Sequence, residues 1–354
     1  MRQTLRQNWL LATVLGVSVV AVAQEAPKVI NAQLHTEQAG GGLSAAVGRF
    51  QHETGPLWLG YEAAALPGSR FSACSGDSGS SMDDGCCGVY RLEGSDNVYR
   101  SSDKDQTPVT KIDVLVRMDH GAIDKIRFVG AGCRLDTGGL SFTWLTGVGA
   151  DESISWLASV VNADDTKRLA DEALATIAMH ETGKATTVLA GFATSSNPIW
   201  LREKTAFWLG AERGHDGLLA LEKLMDDGDP EFRKKLAFDL SVNHDPAAVD
   251  DMIRMAKSDS DTRVREEAIF WVGQKAGAKA VGTLKDAIAN DPEVAVKKKA
   301  VFALSQLPKD QAVPELLQVA QNNSNPVVRK EAIFWLGQTH DPRALAYFEK
   351  ILEH

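Results

Sequence analysis

The chain has 354 residues, with 38 basic against 47 acidic side chains and a net charge of −9. No basic run stands out, which argues against nucleic acid or an anionic membrane face as a partner. The length is ample for two cored domains.

Arg2 and Arg6 precede an apolar run from Trp9 to Val22, and Ala21-Val22-Ala23 offers a small-x-small cleavage site before Gln24. That run is short for a membrane span, so residues 1–23 are expected to be a signal peptide and the protein secreted or periplasmic. Cleavage after Ala23 leaves 331 residues and removes two basic ones, giving 36 against 47 and a net of −11. No other apolar run is long enough to cross a bilayer, so no membrane span is expected in the mature chain.

Residues 24–150 form a β-rich unit of five to six strands by their period of two, which begins at Leu43. Leu57–Tyr61, Val89–Leu92, Ile112–Val116 and Ile123–Phe128 are its clearest strands, and Asp119-His120-Gly121 reads as a hairpin turn. The polar stretches 72–88 and 93–107 are expected to be loops. All four cysteines, Cys74, Cys86, Cys87 and Cys133, lie in this unit. In an exported protein they are disulfide candidates with three pairings open, and Cys86 and Cys87 are too close to bond each other without strain. A zinc site is the rival reading, although an adjacent pair is not usual zinc-ligand spacing.

From residue 151 the period becomes helical. Asp151–Val161 is expected to cap the open end of a repeat array. Ala173, Thr205, Leu236, Ala268, Ala300 and Ala332 then recur at intervals of 32, 31, 32, 32 and 32 residues, which marks a solenoid over 151–354. Each unit is two antiparallel helices. Asp229, Asp261 and Asn325 are expected to cap first helices, and Asp216, Asp245 and Asp341 second ones. Val328, Ala332, Trp335 and Leu336 typify the core stripe of a first helix, while Phe207, Phe238, Phe270, Phe302 and Phe334 lie on another side. Phe270 and Ile269 are both expected to be buried. Arg202, Arg233, Arg265, Lys297 and Arg329 are placed to pair with acceptors on a neighbouring unit.

The run Asn/Asp-Pro-x-Val-Arg, Glu-Ala-x-x-x-Leu-Gly, then Asp-Pro resembles the HEAT-repeat superfamily, most closely the short HEAT-like repeats of phycobilin lyases. The resemblance implies an α+β multidomain chain, a small β-rich domain followed by about six two-helix HEAT repeats. It also implies a protein or peptide held along a groove. The superfamily includes deoxyhypusine hydroxylase, whose His-Glu iron ligands are replaced here by Glu203, Lys234, Glu266, Lys298 and Lys330, so no di-iron cofactor is expected. His180, His215, His244 and His340 fall in inter-helix turns and read as dipole and cap partners rather than as a metal ladder. Gly76-Asp77-Ser78-Gly79 and Asp136-Thr137-Gly138 mimic protease motifs, but each lacks its catalytic partners. No cofactor and no catalytic residue is assigned.

In the resembling family the second helices line the concave side. The predicted binding surface is therefore Glu222, Asp226, Asp227, Asp250, Asp251 and Arg254, an acidic groove suited to a basic segment. The competing reading is an enzyme or enzyme-maturation factor with its site in the β-rich unit or at the domain junction, recognisable as buried Asp, His and Ser in one open pocket.

Overall fold

Residues 26–68, 71–75, 89–94, 96–100, 109–164 and 166–353 are described by the computed structural model; residues 71–75, 96–100 and 278 are described by backbone alone. The expected leader at 1–23, Cys86, Cys87 and the Gly76–Gly79 motif lie outside these residues.

The described strands are β1 (Lys28–Ile30), β2 (Leu34–Gln38), β3 (Leu57–Ala64), β4 (Phe71–Ser75) and β5 (Val89–Arg91), followed by β6 (Asp96–Arg100), β7 (Lys111–Asp119), β8 (Ala122–Gly130), β9 (Arg134–Asp136) and β10 (Ser141–Thr146). This exceeds the five to six expected. The main sheet runs β2-β10-β3-β7-β8, a second is β1-β9-β5, and β4 pairs with β6. The β4–β6 ribbon occupies parts of both stretches expected to be loops. Backbone pairing needs no apolar period, so composition conceals such a ribbon. β1, β2 and β9 are equally short on apolar alternation. The β7–β8 turn is as predicted, with His120 and Gly121 both at positive φ, at 49° and 74°.

Alternation along the strands explains the two faces of the main sheet. Trp58, Leu115, Val129, Phe142 and Trp144 bury against Tyr90 and Leu135 of the second sheet and against Leu92 and Cys133, which flank its strands. Leu59, Tyr61, Val114 and Val116 face the opposite way, toward helices. One of these is α1 (Leu43–Gly48), a helix where the period of two was expected to start. α2 (Ala150–Ala163) also packs on the sheet, with Ile154, Leu157 and Val161 inward. It covers the first repeat as expected.

The repeats are α3 (Arg168–Ala178) with α4 (Gly183–Phe192), α5 (Ile199–Glu212) with α6 (Gly214–Glu222), and α7 (Pro230–Val242) with α8 (Ala248–Ser258). They continue as α9 (Thr262–Lys275) with α10 (Ala278–Asn290), α11 (Val294–Ser305) with α12 (Lys309–Asn322), and α13 (Pro326–Thr339) with α14 (Pro342–Leu352). The six anchors each fall in a first helix. Asp229, Asp261, Asn325 and Asp341 cap their helices by accepting the backbone N–H two residues on. Asp245 accepts the N–H of Ala247 in the same way just before α8. Asp216 does not cap: α6 begins two residues earlier, at Gly214, and encloses it.

First helices of successive repeats pack along their length, whereas second helices scarcely meet. The stack therefore curves toward the first helices, and they form the inner row. Small residues five after the anchor permit this. A Cβ on Gly210 would lie 2.3 Å from the Asp239 carbonyl oxygen, and one on Gly273 would lie 2.8 Å from the Ala303 Cβ.

The repeat arginines form a ladder that fixes the spacing. Arg202, Arg233 and Arg265 pair with Asp227, Asp259 and Asp291, which follow the second helix of the same unit. Arg233 and Arg265 also donate to the carbonyls of Asp227 and Asp259, in the linker before their own helix. The Arg233 and Arg265 guanidinium groups thus each tie the two linkers that flank their unit. Arg329 keeps only the backward contact, to Asn323 O at 2.7 Å, and Lys297 donates to Ala289 O.

Candidate functional site

Three places concentrate chemistry. The first is the junction between sheet and solenoid. Ala65 bridges His180 across the boundary, and the Tyr61 hydroxyl lies 2.7 Å from Ser153 Oγ. Ser153 Oγ is in turn 2.9 Å from His180 Nε2, while His180 Nδ1 lies 2.8 Å from the Thr176 carbonyl. Arg213 closes the shell, donating to the carbonyls of Ala178, His180 and Thr182. Burial lowers the His180 pKa to about 4 and raises that of Tyr61. A neutral imidazole beside a serine resembles a nucleophile pair. Yet Tyr61, Ser153 and His180 are all wholly buried, and none of them lines a described cleft. A buried hydroxyl that no substrate reaches is a structural bond. His180 is therefore a core residue, unlike the exposed His215, His244 and His340 with which the sequence groups it.

The second place is the acidic cleft. α6 ends at Glu222, and a cleft of about 760 Å³ opens between it and α8. Glu222, Asp226, Asp227 and Arg254 line it. The six predicted residues do not behave alike. Asp226 is exposed, and Asp250 is 64% exposed and pairs with Lys279 on the next repeat. Asp227, with its side chain 8% exposed, is the ladder partner of Arg202 and also accepts the Asp229 N–H. Asp251 is buried and bonds Arg254 at 2.8 Å. Burial raises its pKa to about 6, against the pull of Arg254 and with help from neighbouring Glu222. Asp227 and Asp251 are therefore not the outward groups expected of them. A period-based reading places a position on a helix face but does not see the arginine that engages it, Arg202 from the first helix of the same unit for Asp227 and Arg254 one turn on for Asp251. Glu222, Asp250, Asp251 and Arg254 lie on the second helices, with Asp226 and Asp227 in the linker after α6, so the set sits with the outer row rather than on the concave side.

The third place is the inner row. Phe207 stacks on Phe238 (centroids 6.2 Å, 8° between planes), and Phe238 meets Trp271 at a tilt (5.0 Å, 52°). Trp271 meets Phe270, Phe270 stacks on Phe302 (6.2 Å, 3°), Phe302 meets Trp335 and Trp335 meets Phe334. The result is a continuous aromatic ribbon across five repeats. Ile269 is buried as expected, but Phe270 is only half-buried and Phe334 is 55% exposed. The reason is that position two after the anchor points along the inner surface rather than into the helix pair. Near the start of the ribbon, a cleft of about 690 Å³ is walled by Trp200, Phe207, Phe238 and Trp271, with Asp239 at its lining. Sequence reasoning passed over Asp239. Its signal was there: three after the anchor the repeats carry Trp208, Asp239, Trp271, Ala303 and Trp335, so a carboxylate stands where three other units have tryptophan.

Among the described residues no group of three His, Cys, Asp or Glu side chains is arranged to hold a metal ion, and no helix is long and apolar enough to cross a membrane. Asp136 Oδ1 accepts the Gly138 N–H and the Asn31 side chain, so the Asp-Thr-Gly triplet is a turn.

A family model for HEAT repeats matches residues 281–354. Among solved structures, the chain is similar to the CpcE–CpcF complex of phycocyanin lyase from Nostoc sp. PCC7120, at 22% identity over 44% of this chain and 99% of that one, with a TM-score of 0.34. It is also similar to human deoxyhypusine hydroxylase, at 18% identity over 57% of this chain and 90% of that one, with a TM-score of 0.32. A third is Kap121p, at 12% identity over 57% of this chain and 27% of that one, with a TM-score of 0.36. No protein of curated function matches the sequence.

Proposed function

We propose that the protein is an exported, non-enzymatic scaffold that holds a polypeptide segment along the inner face of its HEAT-repeat solenoid. The observation that carries this reading is the half-exposed aromatic ribbon from Phe207 to Phe334. An isolated protein gains nothing by leaving a row of stacked rings in contact with water, whereas aromatic anchors dominate the energetics of protein interfaces. Charged pairs along the same face, such as Lys235 with Glu203 and Lys298 with Glu331, supply the polar rim. The acidic cleft at Asp226, shaped by Glu222, Asp227 and Arg254, is a second contact for the same basic partner, with Asp250 and Asp251 nearby on α8.

Photocrosslinking distinguishes the faces. A photoreactive residue in place of Lys298 or Lys330 should trap the native partner, and one in place of Lys257 should not. Crosslinks from Asp226 alone would move the partner to the acidic cleft. Capture that persists without a crosslink from either helix row would sink the solenoid reading.

Export rests on the leader at 1–23 and on the cysteines, of which Cys133 is buried and disulfide-bonded. Its partner lies outside the residues whose side chains are described. Thiol counting on the unreduced mature protein should find at most two reactive groups, and four would refute the bridges.

A further inference from the structure

The ring pairs of the inner row are not equivalent. Lys299 sets its Nζ 5.7 Å from the centroid of Phe270 and 5.9 Å from that of Phe302, so the protein's own ammonium lies over that stacked pair. The equivalent residue two repeats earlier is Lys235, beside the equally parallel pair Phe207 and Phe238. Lys235 is drawn aside instead, to Glu203 at 2.7 Å. Among the described residues no cation lies over Phe207 or Phe238.

The other charges of this cleft are already matched. From α5, Lys204 pairs with Asp171, and from the segment before α3, Lys167 lies over the Trp200 ring. Glu231 of α7 is held by Arg263 and lies 3.9 Å from Lys234, and Glu267 of α9 accepts the Trp271 Nε1 proton. Asp239 is the exception. It is 3% exposed and lines the cleft, and no described residue donates a hydrogen bond to its carboxyl or forms a salt bridge with it. A carboxyl buried to this degree with no partner is costly unless something supplies one.

We propose that the cleft between α5, α7 and α9 receives a cationic side chain, arginine or lysine, from a partner polypeptide, with its charge over the Phe207–Phe238 pair and its counter-ion at Asp239. The proposal rests on the scaffold reading and gives the partner segment its chemistry. Phe270, Phe302 and Lys299 show the ring–cation part of this arrangement satisfied from within the chain, with Ala303 where Asp239 stands. Burial holds the Asp239 carboxyl well above the usual carboxylate range, with Lys235 opposing and Glu203 adding to the shift. A cationic group brought beside this carboxyl would oppose that shift and favour its ionised form.

The test uses the mature full-length chain and a blocked nonapeptide alternating glycine and arginine, followed by tryptophan fluorescence and calorimetry. Its twin carries citrulline, which keeps the shape of arginine without the charge. The arginine peptide should bind and the citrulline peptide should bind at least about tenfold more weakly. Asp239→Asn should lower arginine-peptide affinity by a similar factor while keeping the melting temperature. If that variant fails to fold, Phe207→Leu removes a ring face at similar volume and carries the same expectation. Equal binding of the two peptides, or unchanged affinity in a folded Asp239→Asn or Phe207→Leu variant, overturns the proposal. Inner-face crosslinks to the native partner that survive Asp239→Asn unchanged would remove this site and leave the scaffold standing. Loss of the crosslinks in the unmodified chain would remove the scaffold itself.

Discussion

Asp113 and Phe232 show how far a single side chain can be judged from its neighbours. Asp113 sits on β7 directly opposite Glu62 of β3, is 2% exposed, and has one oxygen without a hydrogen bond. Burial, with the Glu62 charge adding to it, raises its pKa to about 8. The folded pKa exceeds the unfolded value of about 3.9, so the native state holds the extra proton between those limits. Stability from this group is fully present below about pH 4 and is lost as pH rises toward 8. Asp113→Asn should flatten that fall, which is at most about 1.4 kcal/mol per pH unit, and urea titrations at pH 5 and 8 measure it. An unchanged pH slope would place the proton elsewhere. In the solenoid, Phe232 is wholly buried while Phe270 is half-buried. Phe232→Ala should cost about 3–5 kcal/mol by denaturant unfolding, and Phe270→Ala distinctly less. Equal costs would contradict the outward placement of the ribbon.

Among elements, the approach of α5 to α7 is a tight constraint. Gly210 meets the Asp239 backbone, which cannot yield as the end of a flexible side chain can. Gly210→Ala should therefore destabilise by about 1–3 kcal/mol despite the better helix propensity of alanine. Gly337 lies at the same repeat position, with nothing within 4 Å of an added Cβ. There the same substitution should be neutral or stabilising by up to about 1 kcal/mol, and paired thermal melts compare the two. Two equal losses would mean that the close spacing of the inner row is not what calls for glycine. The same element logic explains the arginine ladder: Arg233 joins two linkers that sequence separates by a whole unit, and the inter-helix geometry follows from that link.

At the scale of the molecule, one apolar cluster runs from Leu43 and Tyr61 of the sheet region to Ala344 in the last repeat. The junction carries His180, whose folded pKa of about 4 lies below its unfolded value of about 6.5. Its contribution is fully present above about pH 6.5 and is lost as pH falls toward 4. Hydrogen exchange should show the Ala65–His180 bridge and the β3–α2 contact loosening together on acidification. Protection there that does not change between pH 7 and 4.5 would refute the coupling. The repeat period, the helix caps, the buried anchors and the hairpin at His120 were legible in the sequence, because each depends on residues within one helical or hairpin reach. So was the Asp239 departure, once the units are aligned on their anchors. Tertiary structure alone decided the β4–β6 ribbon, whose pairing rests on backbone hydrogen bonds that no side-chain period reports. It alone decided that Asp227 and Asp251 are held by arginines while Asp226 stays in water, and that His180 is core while His215 is surface. It also decided which helix row is inner, because curvature comes from how closely the backbones of separate units approach, a distance that no stretch of sequence contains.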